Sequence, residues 1–299
     1  MKKKETVYLL AVLLSGCLWG LMGYFRRRMG VMGFDSFGVI FVRCGVGSLF
    51  FAATILLTDP KQFRIRPKDF WCFFGSGVCS LLFFTFCYFH AINLMSLSAA
   101  AILLYTAPSI VMLLSALLFR ERITGTKILA VILAFIGCCL VSGVMGGDAR
   151  ITLAGLLFGL GSGLGYALYS IFARYALLRG YSSNTVNFYS CLLAGIGACL
   201  ISNPGVYAAA FTASWGNALF CMLTSIVTCY LPYLLYTYSL TGLENGKASV
   251  LASVEPVVAT LLGVFIYHEK LTVWSLLGLA LVLGAILLLN RNPKRQPVG

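Results

Sequence analysis

ASVLASVEPVVATLLGVFIYHEKLT, residues Ala248–Thr272, decides how this chain is read. It is apolar and long enough to cross a hydrocarbon core as a helix, yet it carries Glu255 beside Pro256 near its middle and closes on Glu269-Lys270-Leu271-Thr272. A second copy stands earlier, AAILLYTAPSIVMLLSALLFRERIT, residues Ala100–Thr124. Pro108 matches Pro256, Glu121 matches Glu269 and Thr124 matches Thr272, each at an offset of 148 residues. Two apolar segments, each with an internal proline and a terminal acid, predict a membrane transporter built from repeats.

The composition agrees. Hydrophobic residues make up 60% of the chain, charged residues 10%, and the mean hydropathy is +0.93. Soluble domains are roughly half apolar and a quarter charged. The net charge of +13 sits in short loops between apolar runs, which points to membrane topology and away from nucleic acid. All eleven cysteines lie inside apolar runs and none forms a CxxC pair, so they read as small packing residues, not as a disulfide framework or a metal site. No motif predicts a cofactor. Three lysines followed by an apolar run mimic a signal peptide, but no A-x-A-type cleavage site follows, and an internal copy of the segment marks it as the first span.

Ten stretches have the length and apolarity of membrane helices: Val7–Phe25, Phe37–Leu57, Phe70–Ile92, Ser96–Phe119, Thr126–Val144, Leu153–Leu177, Asn184–Ile201, Gly216–Leu240, Gly246–Tyr267 and Thr272–Leu289. Most of the 22 basic residues then fall on one side, at the N-terminus, at Lys61, Arg64, Arg66 and Lys68, at Arg120, Arg122 and Lys127, and at the C-terminus. Arg26, Arg27, Arg28, Arg150 and Lys270 fall on the other. The positive-inside rule places both termini in the cytosol, in the plasma membrane, with Arg26–Arg28 against the trend.

The repeat reaches further than the opening pair. Gly33, Ser36, Phe41 and Cys44 match Gly180, Ser183, Phe188 and Cys191 at an offset of 147, and Tyr88 matches Tyr236 at 148. The predicted fold is an all-α membrane protein of two five-helix units, residues 6–145 and 152–290. An odd number of spans per unit makes the second unit inverted relative to the first.

The small-x-x-x-Pro helix ending in Phe119-Arg120-Glu121-Arg122-Ile123-Thr124, the run from Glu255-Pro256 to Glu269-Lys270-Leu271-Thr272, and the final helix with Gly278 and Gly284 resemble the EamA branch of the drug/metabolite transporter superfamily over essentially the whole chain. That resemblance implies a ten-helix carrier with a central cavity between its halves, exchanging small metabolites across the bilayer. The leading expectation is a secondary transporter, an exporter of amino-acid-like compounds, with a small-molecule substrate and proton or solute counter-transport. A flippase for a lipid-linked head group is the alternative, a role found elsewhere in the superfamily. An integral membrane enzyme is a third reading, but it needs several convergent polar groups that the chain does not readily assemble.

Glu255 is the one acid near a bilayer midplane, where an unpaired carboxylate costs several kcal/mol. It can serve a substrate amine or a proton, or tie helices together; the resemblance favours the tie. Pro108 and Pro256 withdraw the N–H that Leu104 and Ala252 would otherwise receive, so both helices should be interrupted there. Trp19, Tyr88, Tyr105, Tyr166, Tyr236 and Ser253 stand on the helices the family uses for its cavity, and together with Glu255 they are expected to line one pocket. Glu121 and Glu269 read as structural acids, followed by Thr124 and Thr272 as N-caps. Arg43, also inside a span, should snorkel outward or line the cavity mouth.

Overall fold

The computed structural model describes residues 2–95, 97–141, 152–268 and 272–291. Among them every regular element is helical. In chain order these are α1 (Glu5–Val31), α2 (Ser36–Thr58), α3 (Pro67–Leu94), α4 (Ala99–Phe119), α5 (Gly125–Val141), α6 (Leu153–Leu178), α7 (Ser183–Leu200), α8 (Trp215–Ser239), α9 (Asn245–Tyr267) and α10 (Val273–Arg291). Seven of them, α1–α4, α6, α8 and α9, are long and apolar enough to cross a membrane. α7 continues after a 110° bend into a short helix, Pro204–Thr212, and the pair would make an eighth span. α5 and α10 are apolar but shorter.

Short polar residues start the helices. Asp35 caps α2 by accepting from the Gly38 N–H at 2.7 Å, Thr152 caps α6 through Gly155 at 3.0 Å, and Ser214 caps α8 through Asn217 at 3.1 Å. Thr124 and Thr272 accept from Lys127 and Ser275 at the starts of α5 and α10.

Local conformations recur at the sequence offset. Gly33 and Gly180 both take positive φ, +90° and +86°, where α1 and α6 end. Arg120 and His268 both turn left-handed, at φ of 56° and 54°, and end α4 and α9. α4 opens into a turn at Tyr105-Thr106 and α9 at Ser253-Val254. α3 contains a π-helical stretch over Gly75–Leu82 and α8 one over Ile226–Tyr230.

The breaks dictate how the halves meet. A proline has no N–H for the carbonyl four residues back, and the carbonyls exposed at each break face a glycine on a helix of the other half. A Cβ on Gly16 of α1 would lie 2.8 Å from the Ala252 carbonyl oxygen. One on Gly163 of α6 would lie 2.8 Å from that of Leu103 and 3.4 Å from that of Leu104. Both glycines are needed for the approach.

Polar contacts gather the connections at two ends. At one end Lys127 pairs with Glu244 and Lys247 with Glu5, while Asp69 is held by Arg66, Arg179 and the Tyr181 hydroxyl. At the other the Tyr207 hydroxyl donates to Asp35 at 2.7 Å, and the Arg27 guanidinium lies 4.0 Å from the centre of the Tyr267 ring. Arg26 likewise stacks over Phe89 and donates to Ser36. Cation–π pairing gives these residues local partners.

Candidate functional site

The broken helices α4 and α9 face each other, and a small cavity lies between the breaks. Leu104, Tyr105, Ala107 and Pro108 line it from α4, and Ser249, Ala252, Ser253 and Glu255 from α9; Tyr166 of α6 closes one side. The Glu255 carboxylate faces this space from the first turn after the α9 break. That helix start offers it a favourable dipole. Its hydrogen bond comes from the Tyr166 hydroxyl, at a long 3.3 Å. Its counterpart at the same offset is Ala107, so the acid belongs to one half only. The Ser249 hydroxyl is buried and has no hydrogen-bond partner.

Tyr166 also borders a second small cavity, walled by Trp19 of α1, Ser80, Leu81 and Phe84 of α3, Tyr169 and Ser170 of α6, and Tyr233 and Tyr236 of α8. The Trp19 ring centroid is 5.2 Å from that of Tyr233, 5.3 Å from Tyr236 and 6.2 Å from Tyr166. Buried polar bonds fix these rings. The Tyr236 and Ser170 hydroxyls are hydrogen-bonded at 2.7 Å, and Tyr169 donates to Asn187 at 2.5 Å and meets the Thr237 hydroxyl at 2.8 Å.

The single pocket expected for the seven residues is therefore two adjoining cavities sharing Tyr166. Tyr105, Ser253 and Glu255 line the first, and Trp19 and Tyr236 line the second. Tyr88 lines neither: it stacks on Phe84, 5.9 Å between ring centres, and Phe84 intervenes before Tyr166. Tyr169, Ser170, Tyr233, Phe84 and Ser249 escaped the sequence reading. All five lie within one helical turn of a named residue, Tyr169 and Ser170 after Tyr166, Tyr233 before Tyr236, Phe84 before Tyr88 and Ser249 before Ser253, so extending each face by one turn would have found them.

Two charged residues have roles the sequence did not suggest. Arg43 turns to α8 and lines neither of these cavities. Pro232 leaves the Thr228 carbonyl without its helical donor, and the Arg43 guanidinium supplies one at 2.5 Å, with a second bond to the Thr228 hydroxyl at 2.8 Å. Glu121 accepts from the backbone N–H groups of Asn245 at 2.8 Å and Gly246 at 3.3 Å, capping α9 from the other half. Burial pushes its carboxyl above the usual carboxylate range, and the two N–H donors offset this in part. Glu269 lies outside the described residues.

Known proteins align with this chain along its length. Residues 6–143 and 153–291 each match the model of the EamA-like transporter family. A protein of Archaeoglobus fulgidus named as an uncharacterized transporter is 30% identical over 282 residues, covering 94% of this chain and 96% of its own. The uncharacterized transporter YxxF of Bacillus subtilis is 24% identical, covering 98% and 93%. A solved crystal structure superimposes with a TM-score of 0.79 at 18% identity, over 95% of this chain and 96% of that one, a likeness of fold alone.

Proposed function

This chain belongs to the EamA-like transporter family, a multi-pass membrane protein of the drug/metabolite transporter superfamily, and from that premise we propose a secondary transporter that exports amino-acid-like compounds by alternating access. The observation that carries the substrate class is the environment of Glu255. A carboxylate that ties helices together is expected to hold several short hydrogen bonds; Glu255 has one long bond to Tyr166 and faces a cavity. An ammonium group seated there would meet the carboxylate and the faces of Tyr105 and Tyr166. The apolar side chain of the same molecule would find ring walls in the second cavity.

The same reading takes α1–α10 as ten spans in two inverted five-helix units, residues 6–145 and 152–290, with both termini cytosolic in the plasma membrane. The breaks in α4 and α9 are the points where one unit can rock against the other. A proton or a second solute moving the other way supplies the energy.

Thermal shifts against a panel of amino acids and amines identify the ligand, because binding raises apparent stability by mass action. Glu255→Gln then tests the site in vesicles. Loss of a charge-assisted bond should raise the half-saturating concentration by about tenfold or more, with melting unchanged. A variant that melts well below the parent yet transports with unchanged affinity would make Glu255 a structural tie and end the amine proposal.

A further inference from the structure

Three of the buried cysteines cluster. Cys44 of α2, Cys191 of α7 and Cys229 of α8 bring their sulfur atoms within 4.8 Å of one another, and the Cys191 and Cys229 sulfurs are 3.6 Å apart. All three side chains are shielded, with exposures of 4%, 1% and 0%. The helices are drawn together here by glycines: a Cβ on Gly47, one turn after Cys44, would stand 3.0 Å from the Cys229 sulfur, and one on Gly195, one turn after Cys191, 3.2 Å from the Gly45 nitrogen.

We propose that Cys44, Cys191 and Cys229 form a binding site for a divalent thiophilic cation of the zinc or cadmium class. Zinc–sulfur bonds of about 2.3 Å place three sulfurs around one ion roughly 4 Å apart, inside the range the cluster already spans. Thiolate sulfur selects soft or borderline ions and leaves magnesium and calcium without their oxygen ligands.

Charge balance selects the valence. Arg43 precedes Cys44 in sequence, and its guanidinium is anchored on Thr228, which precedes Cys229. Three thiolates and one guanidinium carry two net negative charges, which a divalent ion cancels. A monovalent copper on three thiolates would leave one negative charge, and a trivalent ion one positive. A neutral assembly is the one a low-dielectric interior accepts at least cost. Binding breaks three S–H bonds and forms three sulfur–metal bonds. The three protons leave to solvent and no electron is transferred.

The site is separate from the proposed substrate cavities, although Tyr169 and Tyr233, which wall the second cavity, belong to the same buried cluster. A bound ion would pin α2, α7 and α8 together behind that wall.

The test uses the full chain, purified in detergent and titrated with cadmium. The expected result is one ion per chain, a thiolate-to-metal charge-transfer band, and three sulfur neighbours by X-ray absorption. The band should disappear in Cys44→Ala/Cys191→Ala/Cys229→Ala, which keeps the other eight cysteines. Fewer than three sulfur neighbours in the unaltered protein overturns the proposal, as does a band that survives in the triple variant. Should that variant fail to fold, a variant keeping only these three cysteines must bind cadmium with the parent's stoichiometry, and failure to do so while folded is equally decisive. None of these readouts depends on transport.

Discussion

At the scale of single residues, two half-buried charges, Arg43 and Glu121, answer to backbone groups that the local chain leaves unpaired. Arg43 supplies the donor that Pro232 withholds from Thr228. Its replacement by Met strands that carbonyl, at a cost of about 1–3 kcal/mol. Pro232→Ala restores an N–H one turn away. Melting of the two single variants and the double variant should show Arg43→Met costing less when residue 232 is Ala; equal losses in both backgrounds would refute the pairing. Glu121 makes the complementary case, an acceptor for two N–H groups at the start of α9. Its carboxyl holds a proton to higher pH in the folded protein than in the unfolded chain. Over the window from the ordinary carboxylate value up to the raised one the folded state therefore binds more protons, and stability falls as pH rises. Glu121→Gln cannot titrate, so its stability profile should be flatter through that window, and the difference between the two profiles isolates the group. Parallel profiles would show that Glu121 titrates alike in both states.

At the scale of elements, the paired breaks explain what the sequence made legible. A proline acts on the carbonyl four residues back wherever it stands in a helix, so Pro108 and Pro256 could be read without the rest of the molecule. A carboxylate in an apolar run is equally conspicuous, and Glu255 was visible for that reason. Tyr88 was misplaced along its helix, not around it: it stands one turn beyond Phe84, which lines the second cavity and stacks between Tyr88 and Tyr166. The helical period gives the face of a residue and not which turn on that face borders the space. The cysteine cluster was hidden for a different reason: its members come from three helices, and no local spacing records their meeting. The breaks also set a packing requirement. Gly16→Ala and Gly163→Ala each drive a Cβ into a backbone oxygen that cannot swing away, and each should cost about 1–3 kcal/mol. Gly23→Ala, where a Cβ meets nothing within 4 Å, is the matched control on α1. Melting that fell equally in all three variants would reduce the effect to glycine replacement in general.

At the scale of the whole molecule, the contacts between connections carry topological information. The N-terminal stretch and the α4–α5 connection both meet the α8–α9 connection, through Glu5–Lys247 and Lys127–Glu244, and the start of α3 meets the α6–α7 connection through Asp69–Arg179. The α1–α2 connection meets the bent arm after α7, through Asp35–Tyr207. The proposed ten crossings predict this sorting, because every second connection would return to the same face, and on that reading the positive-inside rule assigns the first group, with Lys61, Arg64, Arg66 and Lys68, to the cytosol. Residues 144–151 of the linker between the two family-matched stretches fall outside the described residues, so the linker's proposed side of the membrane rests on this parity alone. A single cysteine introduced at Gly147 on a background lacking the native cysteines should react with an impermeant thiol reagent applied outside intact cells, while one at Gln62 should react only after the membrane is opened. Labelling of the Gly147 position only from the cytosolic side would give the first unit an even number of crossings. The two units would then insert in the same sense, and the inversion on which alternating access between them depends would be lost.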